Sequence, residues 1–397
     1  MKILFLASTL RKNNASWHLI KMLMEATLDR GHKIHAIQRA GKTNELPAFP
    51  ETILNHENFS YTEIVCDAVD KKKFIHRYIE GIQYAIRQGK YIKQNNDFDA
   101  IFLQPSFNAV YLLAIARHFA KKRPIVYNVQ DIFPQNLKFS GQLPAAKITY
   151  PVFKFLQKIA YKYADKIITI SEDMKKTLVD DGVSANKIEV ICNWSYSDEK
   201  ILLENIPAEN IFDLKTDKEK TNVVYAGNIG KMQNVEVIAN AAKLSVDDPI
   251  HYYIIGGGAN RNRIEALVAD LENVTLLPMQ PAELAESIYA QADINVIPLA
   301  KGGIKTALPS KTATVLRTNT FAVFCIDKNS EFEKTVKNSG NVRVAYNEDA
   351  ESLYKTIKSL VGQKPETSEE NDKIAQLFSA KNAYKYVDVF ETAVKER

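Results

Sequence analysis

The chain has 397 residues, 46% of them apolar and 25% charged, with 52 Lys+Arg against 47 Asp+Glu. That length exceeds one ordinary core and fits two domains, and the composition is that of a globular protein rather than a disordered or disulfide-stapled one. No run approaches the ~18 apolar residues of a membrane span, and the start "MKILFLASTLRKNN" is too short and polar for a secretory leader, so a cytoplasmic location is expected.

"KILFLAS" reads as a first buried strand, followed by a helix over residues 16–30 that stops at Gly31. Further strands are predicted at "KIHAIQ", "AIFLQ", "PIVYNV", "KIITI" and "KIEVIC", with helices between them. Periodicity fades over residues 196–221, a polar stretch that reads as a linker and domain entry. A second alternating series follows: "NVVYAGN", "HYYIIGGG", "NVTLLP", "INVIPL", "TFAVFCI" and "VRVAY". Strands alternating with helices predict parallel α/β layers in both halves.

The halves differ in charge. Residues 1–200 hold 29 Lys+Arg against 20 Asp+Glu, and residues 201–397 hold 23 against 27. Much of the basic excess lies in two stretches, 71–93 and 147–166, where Lys and Arg interleave with Phe, Tyr and Ile at helical spacing. Each fits either a helix resting on an anionic membrane surface or a core helix with a solvated basic face. Cys66, Cys192 and Cys325 stand far apart, so neither a disulfide framework nor a zinc site is implied.

Open parallel sheets bind ligands beyond the carboxyl ends of their strands. Three loops in those places carry chemistry. "VVYAGNIGKMQN" puts Gly227 and Gly230 after a strand, and "YYIIGGGANRNRIEALV" puts Gly256 to Gly258 after the next. Glycines there allow close backbone approach to a ligand, although either loop alone also fits a tight strand-to-helix turn. Arg261 and Arg263 read as helix-surface arginines. The third loop, "PLAKGGIKTALPSKTATVL", places Lys311 at a predicted helix start with Ser310 as its cap, where dipole, N–H groups and ammonium would meet one phosphate. Asp131 follows "PIVYNV" at its carboxyl end. Asp97 and Asp99 precede a strand and are discounted as metal ligands, and His18, His118 and His251 are isolated.

These residues together resemble the retaining GT-B glycosyltransferases of family 4, in the bacterial branch that builds capsule, O-antigen or exopolysaccharide. The resemblance runs over nearly the whole chain through "DRGHKIHAI", "NVQDIFPQ", "YAGNIGKMQN", "YYIIGGGANRNRIEAL", "YAQADINVIPL" and "LPSK", and is most specific in "ADKIITISEDMKKTLVDDGVSANKIEVICNW". It implies two Rossmann-like domains, 1–197 with a crossover helix at 378–397 and 198–377, facing across a cleft. It implies a nucleotide-sugar substrate, a UDP-sugar, on the second domain, a lipid-linked saccharide acceptor on the first, and neither cofactor nor metal.

Carried over by position, Lys311 and Asp131 become the catalytic candidates. The sugar-nucleotide site would comprise Gly227, Asn228, Gly230, Gln233, Gly257, Met279, Ser310, Thr312 and Thr314, with Asn14 and Ser16 in the acceptor-side loop. The chain departs from the pattern in five places. Asn228 and Gln233 replace a common Arg and Lys, the first loop lacks its double glycine, and Thr306 and Thr314 stand where paired glutamates are expected. Two other readings stand beside it, one of the same fold and one prompted by the missing glutamates. One is a sugar-nucleotide epimerase, for which His18 and Asp131 would have to supply the acid and base; the other is a non-catalytic paralogue in a polysaccharide assembly complex.

Overall fold

The computed structural model describes residues 1–7, 17–40, 49–66, 74–104, 109–140, 143 and 146–397. Its contacts divide the chain into two units. Unit 1 comprises 1–135, 143–192 and 380–397, and unit 2 comprises 136–142 and 193–379.

Unit 1 holds a seven-stranded sheet of β1 (Lys2–Leu6), β2 (Lys33–Ala40), β3 (Phe59–Val65), β4 (Ala100–Leu103), β5 (Ile125–Val129), β6 (Lys166–Thr169) and β7 (Ile188–Val190). All neighbours pair in parallel, in the order β3-β2-β1-β4-β5-β6-β7. The central strands are mostly apolar, with the buried Asn128 of β5 an exception, because helices cover both faces. Every residue of β4 and β5 is buried. The helix Trp17–Asp29 ends at Gly31, whose φ of 74° supplies the left-handed turn expected there.

β3 was not expected from the sequence. Its pattern, "FSYTEIV", has no buried position because it is an edge strand paired on one side. Asp97 and Asp99 fasten the start of β1: the Lys2 amide donates to Asp99 at 2.7 Å and its ammonium to Asp97 at 2.5 Å, which holds the Asp97 carboxyl below its ordinary range. They act as structural partners of a lysine.

The last helix, Asn382–Lys395, belongs to unit 1 and packs on β4, β5 and β6. Phe390 lies 5.1 Å from the Phe102 ring, and the Tyr386 hydroxyl donates to Asn128 at 3.2 Å. Ion pairs Lys166–Glu396 (3.0 Å) and Arg397–Asp165 (2.6 Å) fasten its end.

Unit 2 holds β8 (Thr221–Asn228), β9 (Ile250–Gly257), β10 (Val274–Leu277), β11 (Ile294–Pro298), β12 (Phe321–Ile326) and β13 (Val342–Tyr346), in the parallel order β10-β9-β8-β11-β12-β13. Tyr225, Tyr252, Val296, Val323 and Leu353 share its core. The stretch expected as a linker is strapped to this unit. Phe212 and Leu214 donate their amides to Ser287 and Gln291, and Ile201 bridges Thr318. Arg317, its side chain only 5% exposed, donates to the Asp198 carbonyl (2.7 Å) and carboxylate (3.0 Å) and to the carbonyls of Ala375 (3.3 Å) and Phe378 (3.2 Å). One guanidinium thereby ties the first and last segments of unit 2 to the turn after Lys311.

Candidate functional site

In unit 2 the strand order reverses between β8 and β11, which is where an open parallel sheet leaves a crevice at its carboxyl edge. Two of the glycine loops meet there. Gly227 pairs with Gly256 and Asn228 with Gly257 across β8 and β9. A Cβ on Gly256 would fall 1.9 Å from the Gly227 carbonyl oxygen, and one on Gly258 2.5 Å from that of Ile229. These glycines let the two strand ends close on each other. Gly257 differs: the nearest atom to a Cβ there is 3.8 Å away, on Met279, so space remains for another group.

Lys311 enters this edge from the third loop. Its ammonium donates to the Ala226 carbonyl at 2.7 Å and lies 4.0 Å from the centre of the Tyr225 ring. The Tyr289 hydroxyl donates to the same carbonyl at 3.1 Å, and the Tyr225 hydroxyl to the Asn228 carbonyl at 2.5 Å. Gly227 lies beneath the lysine at φ +145°, a conformation that L side chains rarely adopt, and a Cβ there would sit 2.8 Å from Nζ. The residue as a whole is part-exposed, yet loss of water around the ammonium pushes its pKa down to about 7. Desolvation is the whole cause; among the described residues no carboxylate offsets it. Burial there disfavours the charged form, which the Ala226 carbonyl and the Tyr225 ring offset only in part. An anion arriving there would favour the charged form.

Two expectations about this loop need correction. The helix after Lys311 is a single turn, Thr312–Val315, too short to sum a macrodipole, and Lys311 itself is its N-cap residue. Ser310 is exposed and makes no cap; none of the side chains there does. Thr312 is buried with its hydroxyl lacking a hydrogen-bond partner, and Thr314 is part-exposed. Thr306 is buried and donates to the Gly303 carbonyl at 3.1 Å, so its hydroxyl is engaged within its own loop. That loop is further held by Asp327, both of whose oxygens accept from the Gly302 amide at 2.9 Å.

Asn228 donates to the Gln233 side-chain oxygen at 3.1 Å, and Gly230 is the residue that leaves room for this pair. Met279, 52% exposed, flanks Gly257 from the turn after β10. Arg261 was misread as a surface arginine. Its guanidinium donates to the Gly256 carbonyl and, at 2.8 Å, to that of Leu277, joining the ends of β9 and β10, while Glu265 holds it at 3.0 Å. Arg263 is a surface residue, pairing with Glu236 at 3.3 Å. Tyr225, Tyr289 and Arg261 were not singled out as site residues. The tyrosines read as apolar positions, and only the folded structure shows that both hydroxyls go to carbonyls at the end of β8.

In unit 1, Asp131 lies exposed beyond the end of β5, two residues before the cis Phe133–Pro134 peptide. The surrounding protein raises its carboxyl above the ordinary Asp range. Asn14 and Ser16 lie outside the described residues. Among the described residues no group of three or more His, Cys, Asp or Glu is placed to hold a metal ion.

Residues 18–194 match the family model described as Glycosyltransferase Family 4, and residues 220–363 that described as Glycosyl transferases group 1. Among curated proteins the chain is 24% identical over 201 residues (49% of each chain) to Escherichia coli (strain K12) WcaI, named for a glycosyl transferase of colanic acid biosynthesis. It is 26% identical over 221 residues (53% of each) to Pseudomonas aeruginosa WbjE, named for a glycosyltransferase. These alignments span about half the length of the curated relatives. Among solved structures, the sucrose-phosphate synthase of Thermosynechococcus elongatus superimposes with a TM-score of 0.74 at 13% identity, covering 100% of both chains. Anabaena HepE in complex with UDP superimposes with a TM-score of 0.67 at 15% identity, covering 99% of this chain and 100% of that one. The chain has the GT-B fold, its first half similar to the Glycosyltransferase Family 4 model and its second half to the Glycosyl transferases group 1 model.

Proposed function

We propose that the protein is a retaining glycosyltransferase that moves a hexose or acetamido-hexose from a nucleotide-diphosphate sugar, a UDP-sugar in the first instance, to a lipid-linked saccharide during surface polysaccharide assembly, of the capsule or O-antigen kind, at the inner membrane face. The observation that carries the reading is Lys311: a desolvated ammonium, without a carboxylate partner among the described residues, set over the glycine-lined ends of β8 and β9. The names of WcaI and WbjE and the UDP bound by HepE support it.

In the reaction the bond from the sugar's anomeric carbon to the diphosphate oxygen breaks, and a bond to the acceptor hydroxyl oxygen forms. The hydroxyl proton leaves with the departing diphosphate, so no protein nucleophile is needed. Charge grows on that diphosphate as the bond breaks. Lys311 meets it more strongly in the transition state than in the ground state, which is what accelerates the step. Gly257 offers the backbone approach, Met279 flanks the base, and Asn228 with Gln233 present neutral amides to the phosphates. Asp131 faces the acceptor. Metal plays no part in this scheme.

A second reading, a non-catalytic paralogue, is favoured by one specific observation. Thr306, where a glutamate was expected, spends its hydroxyl inside its own loop. Incubating the purified protein with a panel of nucleotide sugars separates the readings. Donor hydrolysis or acceptor-dependent release of nucleotide is the expected outcome, an altered sugar would indicate an epimerase, and absence of binding the paralogue. A Lys311→Ala protein with wild-type turnover would overturn the assignment of Lys311.

A further inference from the structure

The helix Ala146–Tyr161 in unit 1 is amphipathic in an unusual sense. One face is seated in the unit: Gln157, Ala160 and Tyr161 are buried, and the Phe153 ring lies 5.4 Å from that of Phe133. The opposite, solvent-facing line should then be polar. Instead it carries Ile148 (72% exposed), Val152 (55%) and Phe155 (64%), spaced i, i+4, i+7 and so aligned along the helix. Pro151, also exposed, adds to that line.

Beside this stripe runs a row of lysines, Lys147, Lys154, Lys158 and Lys162, at i, i+7, i+11 and i+15. Lys154 and Lys158 share a single carboxylate, Asp181, at 3.0 and 3.5 Å, and Lys147 and Lys162 are exposed. Residues 146–163 contain no Asp or Glu.

The geometry points to a docking surface for an anionic lipid bilayer, with Ile148, Val152 and Phe155 entering the boundary between headgroups and acyl chains and the lysine row lying on the phosphates. Charge decides for lipid over protein. Lysine is depleted from protein interfaces, and a two-fold contact between copies of this helix would set its lysine rows close together. An interfacial helix, by contrast, carries cations along its apolar stripe. The proposal rests on the reading of a lipid-linked acceptor, to which it adds the surface that would bring unit 1 to that substrate.

The test is co-sedimentation of the full-length protein with phosphatidylcholine vesicles and with vesicles in which about a third of the lipid is phosphatidylglycerol. The wild type should partition to the anionic vesicles, less so as salt rises. Phe155→Ser should weaken partition about tenfold, and Lys147→Gln with Lys162→Gln about fivefold per charge, with melting temperatures unchanged because all three side chains are exposed. Equal partition of wild type and variants would overturn the proposal. So would a wild-type dimer in sedimentation equilibrium that Phe155→Ser dissolves without any vesicle binding, which would make the stripe a protein interface. Nucleotide-sugar binding, measured on the same samples without lipid, keeps the two questions apart: its loss indicts the transferase reading, and its survival with absent vesicle binding indicts the docking surface alone.

Discussion

The carboxyl edge of the unit 2 sheet and the helix Ala146–Tyr161 of unit 1 both offer positive charge, in opposite ways. At the sheet edge one ammonium is stripped of water and held by a carbonyl, an aromatic face and glycines that admit no side chain. On the helix, several lysines remain partly or wholly in water beside apolar side chains. A small, densely charged ligand is recognised by few groups at close range, where low polarity strengthens each interaction; an extended surface is recognised by many weak, screened ones. The first design is sensitive to single substitutions, the second to their sum.

The sharpest way to break that contrast is Lys311→Ala, expected to lower transfer by about 10²–10³-fold, on the scale of losing one preorganised hydrogen-bond donor. Steady-state kinetics with a UDP-sugar would measure it; a loss below tenfold would mean that the edge works through shared charge after all. Next comes Arg317→Ala, which strands several carbonyls and one carboxylate. It should cost about 3 kcal/mol of stability by urea denaturation. A variant as stable as wild type would show that the segments entering and leaving unit 2 are fastened elsewhere.

Tyr225→Phe removes one hydrogen bond, to the Asn228 carbonyl, and should cost about 1 kcal/mol while preserving the aromatic face under Lys311. A further test is a matter of protons. In the folded protein Lys311 titrates near 7, below its ordinary value of 10.5, so between those two pH values the unfolded chain binds the extra proton and stability rises with pH. Lys311→Met should remove that component, gaining on the wild type most below pH 7. Binding of UDP at pH 8 should take up protons, measurable by calorimetry in buffers of different ionisation enthalpy; no uptake, or uptake that survives Lys311→Met, would place the anion away from this lysine.

Most of the architecture was legible because both sheets are buried on two faces, and strands such as "AIFLQ" and "TFAVFCI" then read as unbroken apolar runs. β3 was missed for the converse reason: an edge strand half in water carries no such run. The glycine loops were legible as loops, but their roles were not. Gly256 and Gly258 serve strand-to-strand closure, and Gly257 alone of the three leaves open space, a distinction that depends on the register with β8. Arg261 showed nothing in its sequence spacing of the two carbonyls it joins, since they belong to different strands. The helix expected after Lys311 shrank to one turn because Arg317, Thr318 and Thr320 leave it for buried hydrogen bonds of their own.

The Ala226 carbonyl that receives Lys311 has a consequence for the timing of binding. Water around the ammonium is removed when the chain folds, and the Ala226 carbonyl, steadied by Tyr289, supplies it with an oxygen ligand. Under the proposed function, an arriving diphosphate would exchange one oxygen ligand for another rather than strip a hydrated cation, and the slow and costly rearrangement of solvent would belong to the history of the protein and not to each catalytic cycle.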